Sequence, residues 1–318
     1  MSEETPWKDP VQTFTLYGSN RTLAYAIYGT PLTTPPKAPC IFYMNGTPGC
    51  HLEALLYDRT ATTLGATIIS TDRPGFGRSA FQQNFSFKSW SDDILQLADH
   101  LEIDKFGVLG TSGGGPYVLA CLNFIPRERL VGASVVSAIY PLSFGTKGML
   151  WQTRLLLFIV SWSTFLGEIL IDLTMGRMVR RNTVPELLKM MEKQSAGIPQ
   201  PEVDKECMKL VEQDNDLIGA FLGSMKEALR ESSRGAAWEF WLFAQDESKW
   251  GWDFGELDGG KLTIWHGGVD VNVPVGMADA AVERIGGGVR YQRMGGEGHI
   301  SLVTRRQEEI LKDLMGRF

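Results

Sequence analysis

Histidine and cysteine are scarce in this chain, four of each in 318 residues, and neither stands in a spacing that holds a metal. Cys40, Cys50, Cys121 and Cys207 form no C-x-x-C pair and no Cys/His ligand set. That argues against structural zinc and for buried free thiols in a reducing, cytoplasmic compartment. Clustered cations are missing as well. With a net charge of −6 and no Lys/Arg stripe, nothing is arranged to neutralise a phosphate backbone, so no nucleic-acid partner is expected. The polar, acidic N-terminus is unlike a signal peptide, and Gly316-Arg317-Phe318 carries no lipidation or peroxisomal address. A spanning helix needs about 20 mostly apolar residues. The most apolar stretch, from Leu155 through Val160 and on to Trp162, Phe165, Leu166, Ile169 and Leu170, is bracketed and interrupted by Arg154, Glu168 and Asp172. It is expected to be an amphipathic helix packed on the protein, while Arg177, Arg180 and Arg181 just beyond it leave weak peripheral membrane contact open. Repeats and low-complexity tracts are also lacking, and nothing in the sequence sets an oligomeric state.

What remains is the composition of a globular protein, 43% hydrophobic and 21% charged, long enough for one sizeable domain with an insertion. Alternation at 12–17 and 22–28 across a Gly18-Ser19-Asn20 turn predicts an opening hairpin. Short apolar runs at 40–44 and 66–70 read as buried strands and those at 106–109 and 130–139 as further strands, separated by helical periodicity at 52–64, 90–101 and 113–124. Strands at 262–266 and 289–294, a helix at 274–285 and a last helix with Val303, Ile310, Leu311 and Leu314 on one face resume that rhythm. The fold class is therefore α/β, with a mostly parallel, doubly wound sheet. Between the two halves, residues 145–254 are helix-like and rich in aromatics, with Gly197-Ile198-Pro199-Gln200-Pro201 separating two segments. The expected division is a core of 1–144 and 255–318 and a helical cap of 145–254.

Gly110-Thr111-Ser112-Gly113-Gly114 has the G-x-S-x-G form of a nucleophile elbow, with a strand before it and a helix after it. Serine needs a base. His299, in the glycine-rich loop before the last helix, stands C-terminal to it as the Ser…Asp…His order requires; His51 and His100 precede it. The carboxylate that orients the base is Asp270, in the loop after the strand ending at His266, with Glu297 as the substitute. His266 itself reads as a structural, hydrogen-bonded residue and His100 as part of a solvated helix face. A tetrahedral intermediate needs two backbone donors: the Gly113 N–H, and one from Asn45-Gly46-Thr47-Pro48-Gly49 after the third strand. Two other glycine patterns carry no chemistry. Gly75-Phe76-Gly77-Arg78-Ser79-Ala80 fits a dinucleotide fingerprint but opens no helix, and 110–115 lacks the G-K-[ST] of a P-loop.

Taken together, Asn45-Gly46-Thr47-Pro48-Gly49, Asp72-Arg73-Pro74-Gly75-Phe76-Gly77-Arg78-Ser79, the elbow, Trp265-His266-Gly267…Asp270…Val273-Pro274 and Gly296-Glu297-Gly298-His299 resemble the motif set of the α/β-hydrolase fold superfamily, of the type with a helical cap. The resemblance covers the whole α/β part. It implies a serine hydrolase with a Ser112–His299–Asp270 triad, Thr47 and Gly113 as the oxyanion hole, and no metal or organic cofactor. Asn45 departs from it, standing where the family usually has a histidine that buttresses the loop. Candidate substrate-binding residues are Asn45, Gly46, Trp151 and Trp241, and the expected substrate is a small lipophilic ester, lactone or thioester. With no side chain on Gly113, room for a bulky acyl group is expected. Two other readings stand beside this one: a biosynthetic enzyme (acyl transfer, C–C bond cleavage or cofactor-free cyclisation) using the same pocket, and a non-catalytic ligand receptor.

Overall fold

The structure, a computed structural model, describes residues 7–195 and 199–318. Eight strands form one sheet: β1 (Gln12–Thr15), β2 (Thr22–Gly29), β3 (Cys40–Met44), β4 (Thr67–Thr71), β5 (Phe106–Thr111), β6 (Leu130–Val136), β7 (Leu262–Gly267) and β8 (Arg290–Met294). Their order is β1-β2-β4-β3-β5-β6-β7-β8, antiparallel at the β1–β2 and β2–β4 pairings and parallel elsewhere. Helices α1 (Leu55–Leu64), α2 (Phe87–His100) and α3 (Gly115–Phe124) connect the early strands. Between β6 and β7 lie α4 (Trp151–Trp162), α5 (Thr164–Ile171), α6 (Arg177–Arg181), α7 (Val184–Ser195), α8 (Glu202–Val211), α9 (Asn215–Ile218), α10 (Ser224–Ala228) and α11 (Arg234–Phe243), and no strand among the described residues. The chain closes with α12 (Val275–Ile285), α13 (His299–Arg305) and α14 (Gln307–Met315).

Period-two alternation divides the strand side chains between two cores. Phe42, Met44, Phe106 and Val108 face α2, α3 and α12; Ile41, Tyr43, Ile68 and Leu109 face α1 and α14. Trp250 and Trp252, at the end of the aromatic-rich stretch, pack on Phe87, and Phe254 packs on both; all three join the first core rather than roof a pocket.

Two elements differ from the sequence expectation. The strand expected to reach residue 139 ends at Val136, because Ser137 takes φ +48° and the Ile139 N–H turns back to the Ser112 carbonyl at 3.1 Å. The last helix is two, broken at Arg306. The break expected at Gly197-Ile198-Pro199-Gln200-Pro201 begins outside the described residues. Residues 155–170 are split at Ser163, which caps α5 through Leu166 N–H, and no helix among the described residues is long and apolar enough to cross a membrane.

β3 is the switch point of the sheet: the chain leaves it for β4 on one side and comes back as β5 on the other. Met44 pairs with Gly110, so the loops after these two strands emerge side by side at the carboxyl edge, where open α/β sheets bind ligands.

Candidate active site

Ser112 sits at φ +52°, a left-handed conformation that costs a non-glycine residue on the order of 1–3 kcal/mol. The close packing around it holds that turn. A Cβ on Gly114 would strike the Met44 carbonyl, and one on Gly113 would strike the Thr47 side chain. The space beside Gly113 is thus filled by the loop after β3, and the expectation that it leaves room for a bulky acyl group is corrected.

His299 opens α13 and Asp270 lies in the loop after β7. His299 Nδ1 stands 2.7 Å from Asp270 Oδ2, while Asp270 Oδ1 accepts the N–H groups of Asn272 and Val273, each at 2.9 Å. Burial by itself would raise the Asp270 carboxyl; the imidazole beside it, with these donors, holds it below the usual carboxylate range. His266, held through Nε2 to the Val273 carbonyl at 2.9 Å, is driven below its ordinary pKa by burial and packs behind the pair. Glu297, the substitute carboxylate, pairs instead with Arg306.

Ser112 and His299 line one cavity of about 160 Å³, shared with Thr47, Glu53, Phe221 and Met225. Gly46 borders it, but its N–H is taken by Glu53, at 2.9 Å from each carboxylate oxygen. Trp151 and Trp241 do not line it. Trp151 lies on the outward side of α4, 67% exposed, and Trp241 is half-buried against Trp238 on α11. Aromatic content marked these helices, but not the side on which each ring stands.

Asn45 does not buttress its loop, and its buried side-chain amide has no hydrogen-bond partner among the described residues. Arg73 does that work. Fully buried, it donates to the carbonyls of Asn45 at 2.6 Å and Gly46 at 2.9 Å, and it pairs through Nε with Glu239 of α11. Glu239 also accepts from Thr47 Oγ1 at 2.6 Å and from Tyr117 at 2.8 Å. The loop carbonyls are thereby turned toward Arg73.

A second carboxylate from the helical block holds the histidine. Asp204 of α8, buried, accepts the N–H groups of His299 at 2.9 Å and Ser301 at 2.8 Å, at the start of α13. It satisfies two of the donors that a helix leaves open at its N-terminus. Glu53 is the third addition: it also accepts from Tyr43 Oη at 2.6 Å, and its carboxyl is pushed up by burial. Arg73 and Glu53 carried no motif role on their own, and Asp204 and Glu239 lie 95 and 166 residues from the partners they hold.

Burial alone would lower the His299 pKa; Asp270, its hydrogen bond, Asp204 and Glu53 override it and raise the group above its ordinary 6.5. If His299 serves as a general base it must be neutral to act, and the acid limb of kcat/KM is then expected above pH 6.5. Asp204→Asn and Glu53→Gln each remove a negative charge and are expected to move that limb to lower pH. A limb that stays in place in both variants would separate these carboxylates from the histidine.

Among the described residues one cluster, Cys50, His51 and Asp72, has ligand-type atoms within 4.8 Å of one another. Asp72 at 2.7 Å and Asp9 at 3.0 Å occupy both ring nitrogens of His51, and although burial alone would lower its pKa, Cys50 and these carboxylates hold it far above the ordinary value. A protonated ring offers a metal no lone pair.

No family model matches the chain. A Bacillus subtilis protein named uncharacterized hydrolase YcgS is 29% identical over 133 residues, 42% of this chain and 43% of that protein, so the chain spans less than half of its relative's length in the match. Among solved structures, a malate-bound esterase from Thermogutta terrifontis superposes with a TM-score of 0.59 at 19% identity, covering 97% of this chain and 99% of that one. The epoxide hydrolase CorEH superposes with a TM-score of 0.62 at 16% identity, covering 96% and 97%. The chain has the α/β-hydrolase fold. An esterase and an epoxide hydrolase superpose on this chain alike, so chemistry has to be argued from the site.

Proposed function

We propose that the chain is a serine hydrolase of small apolar esters, lactones or thioesters, working through an acyl-enzyme. The observation that carries this reading is one cavity lined by both Ser112 and His299, with His299 Nδ1 held 2.7 Å from Asp270. Nδ1 being taken, Nε2 is the nitrogen left for the serine. Ser112 Oγ attacks the carbonyl carbon as its proton passes to Nε2, and the Thr47 and Gly113 N–H groups receive the oxyanion. The imidazolium returns that proton to the departing alkoxide or thiolate. Water, deprotonated by the same histidine, then releases the acid. A cavity of about 160 Å³ is smaller than the 300–1,000 Å³ typical of drug-sized ligands, which favours a short acyl group.

Two other readings use the same pocket: a biosynthetic enzyme (acyl transfer, C–C bond cleavage or cofactor-free cyclisation) and a non-catalytic ligand receptor. Labelling with a fluorophosphonate separates the possibilities. Wild type is expected to label and Ser112→Ala not to; equal labelling would overturn the nucleophile. A chain that labels yet cleaves no short p-nitrophenyl ester favours the biosynthetic reading, and one that binds a ligand without labelling favours the receptor.

A further inference from the structure

Eight of the thirteen large hydrophobic residues exposed among the described residues fall between 151 and 173. On α4 they are Trp151, Leu155, Phe158 and Trp162, at a spacing that makes one stripe. Phe165, Leu166, Ile169 and Leu173 continue it along α5 and the turn after it. The buried positions of the same helices, Leu157, Val160, Gly167 and Ile171, face inward, where both helices pack on α11. These helices are therefore apolar on the side turned to solvent. Trp162 is 79% exposed and Phe158 62%, which a face meant for water does not favour.

The charges around the stripe indicate what covers it. Arg154 sits within it, beside Trp151, Leu155 and Phe158 along an open groove of about 530 Å³. Arg177 and Arg181 follow Leu173 on successive turns, and Asp172 is taken up by Arg177 and Arg180. Arg154 and Arg181 have no ion-pair partner among the described residues. With Glu168 and Asp172 set against Arg154, Arg177, Arg180 and Arg181, residues 151–181 still carry a net charge of +2 (four cations less two anions) on a chain whose net charge is −6. An anionic lipid headgroup layer complements this excess of arginine. Tryptophan and phenylalanine flanked by arginine are the residues that settle at the boundary between headgroups and acyl chains. We propose that α4 and α5 form a peripheral docking face for an anionic lipid bilayer, lying flat with these rings inserted and Arg154, Arg177 and Arg181 at the headgroups. The proposal stands independently of the hydrolase reading.

Flotation of the whole chain with phosphatidylcholine vesicles, and with vesicles of equal parts phosphatidylcholine and phosphatidylglycerol, tests it. Wild type is expected to float with the mixed vesicles and weakly with phosphatidylcholine alone. Phe158→Glu and Trp162→Glu should each lower the partition coefficient about tenfold, with an unchanged thermal midpoint because both side chains stand in solvent. Arg154→Gln and Arg181→Gln should each lower it about fivefold on mixed vesicles only. Wild type that floats with neither vesicle, or binding that survives the aromatic substitutions, overturns the proposal. So does a dimer in light scattering that Phe158→Glu and Trp162→Glu split, since the stripe would then be a self-association face.

Discussion

Ser112→Ala is expected to lower kcat for a short p-nitrophenyl ester by about 10⁵–10⁶-fold, and the double variant with His299→Ala to lower it no further. Nucleophile and base act as one unit: without the hydroxyl there is no proton for Nε2 to take, and without the imidazole the hydroxyl is a poor nucleophile. A backbone oxyanion hole is untouched by either substitution, so the residual rate should stay about 10³–10⁴-fold above that in water. Steady-state kinetics on the two single variants and the double decide the matter. Losses that multiply would mean that Ser112 and His299 act separately, and a Ser112→Ala enzyme with wild-type kcat would place the chemistry elsewhere.

The second large effect concerns Arg73 and Glu239, whose side chains are 0% and 1% exposed. Removing Glu239 strands a buried guanidinium, and Glu239→Leu is expected to destabilise the fold by about 3–5 kcal/mol, a large share of the roughly 5–15 kcal/mol that keeps a domain folded. Arg73→Met should cost less, because the orphaned carboxylate keeps the Tyr117 and Thr47 hydroxyls as donors. The double variant Arg73→Met with Glu239→Leu should recover most of the lost stability, since an apolar pair of similar volume replaces an ion pair at little net cost. Its activity should not recover. The carbonyls of Asn45 and Gly46 lose their donors, and the Thr47 N–H is no longer aimed, which costs about 10²–10³-fold in kcat if one oxyanion donor is lost. Denaturant midpoints and kcat measured on the same three proteins check this. Activity that returns together with stability would reduce the pair to packing.

Much of this site could be read from the sequence because the architecture does the sorting. In a parallel sheet every loop after a strand emerges at one edge, so chain order alone brought together 45–49, Ser112, Asp270 and His299. Partners supplied from the helices between β6 and β7 were not legible. Periodicity tells which side of α8 or α11 is buried, not that Asp204 meets the His299 N–H or that Glu239 meets Arg73. The same limit misplaced Trp151: residues 151, 155, 158 and 162 make a regular apolar stripe, and a stripe reads as inward until the partner is known. Asn45 shows the converse case. Its identity suggested a weakened loop, whereas the hydrogen bonds come from a residue 28 positions away.

Asp204 and Glu239 also bear on engineering. Exchanging the helices over an α/β core is a common way to look for new specificity, and it treats those helices as interchangeable covers. In this chain a cover lacking acids at the places of Asp204 and Glu239 would deliver a core whose histidine turn has two unanswered amides and whose Arg73 is buried alone. A successful graft has to import both carboxylates with the new pocket.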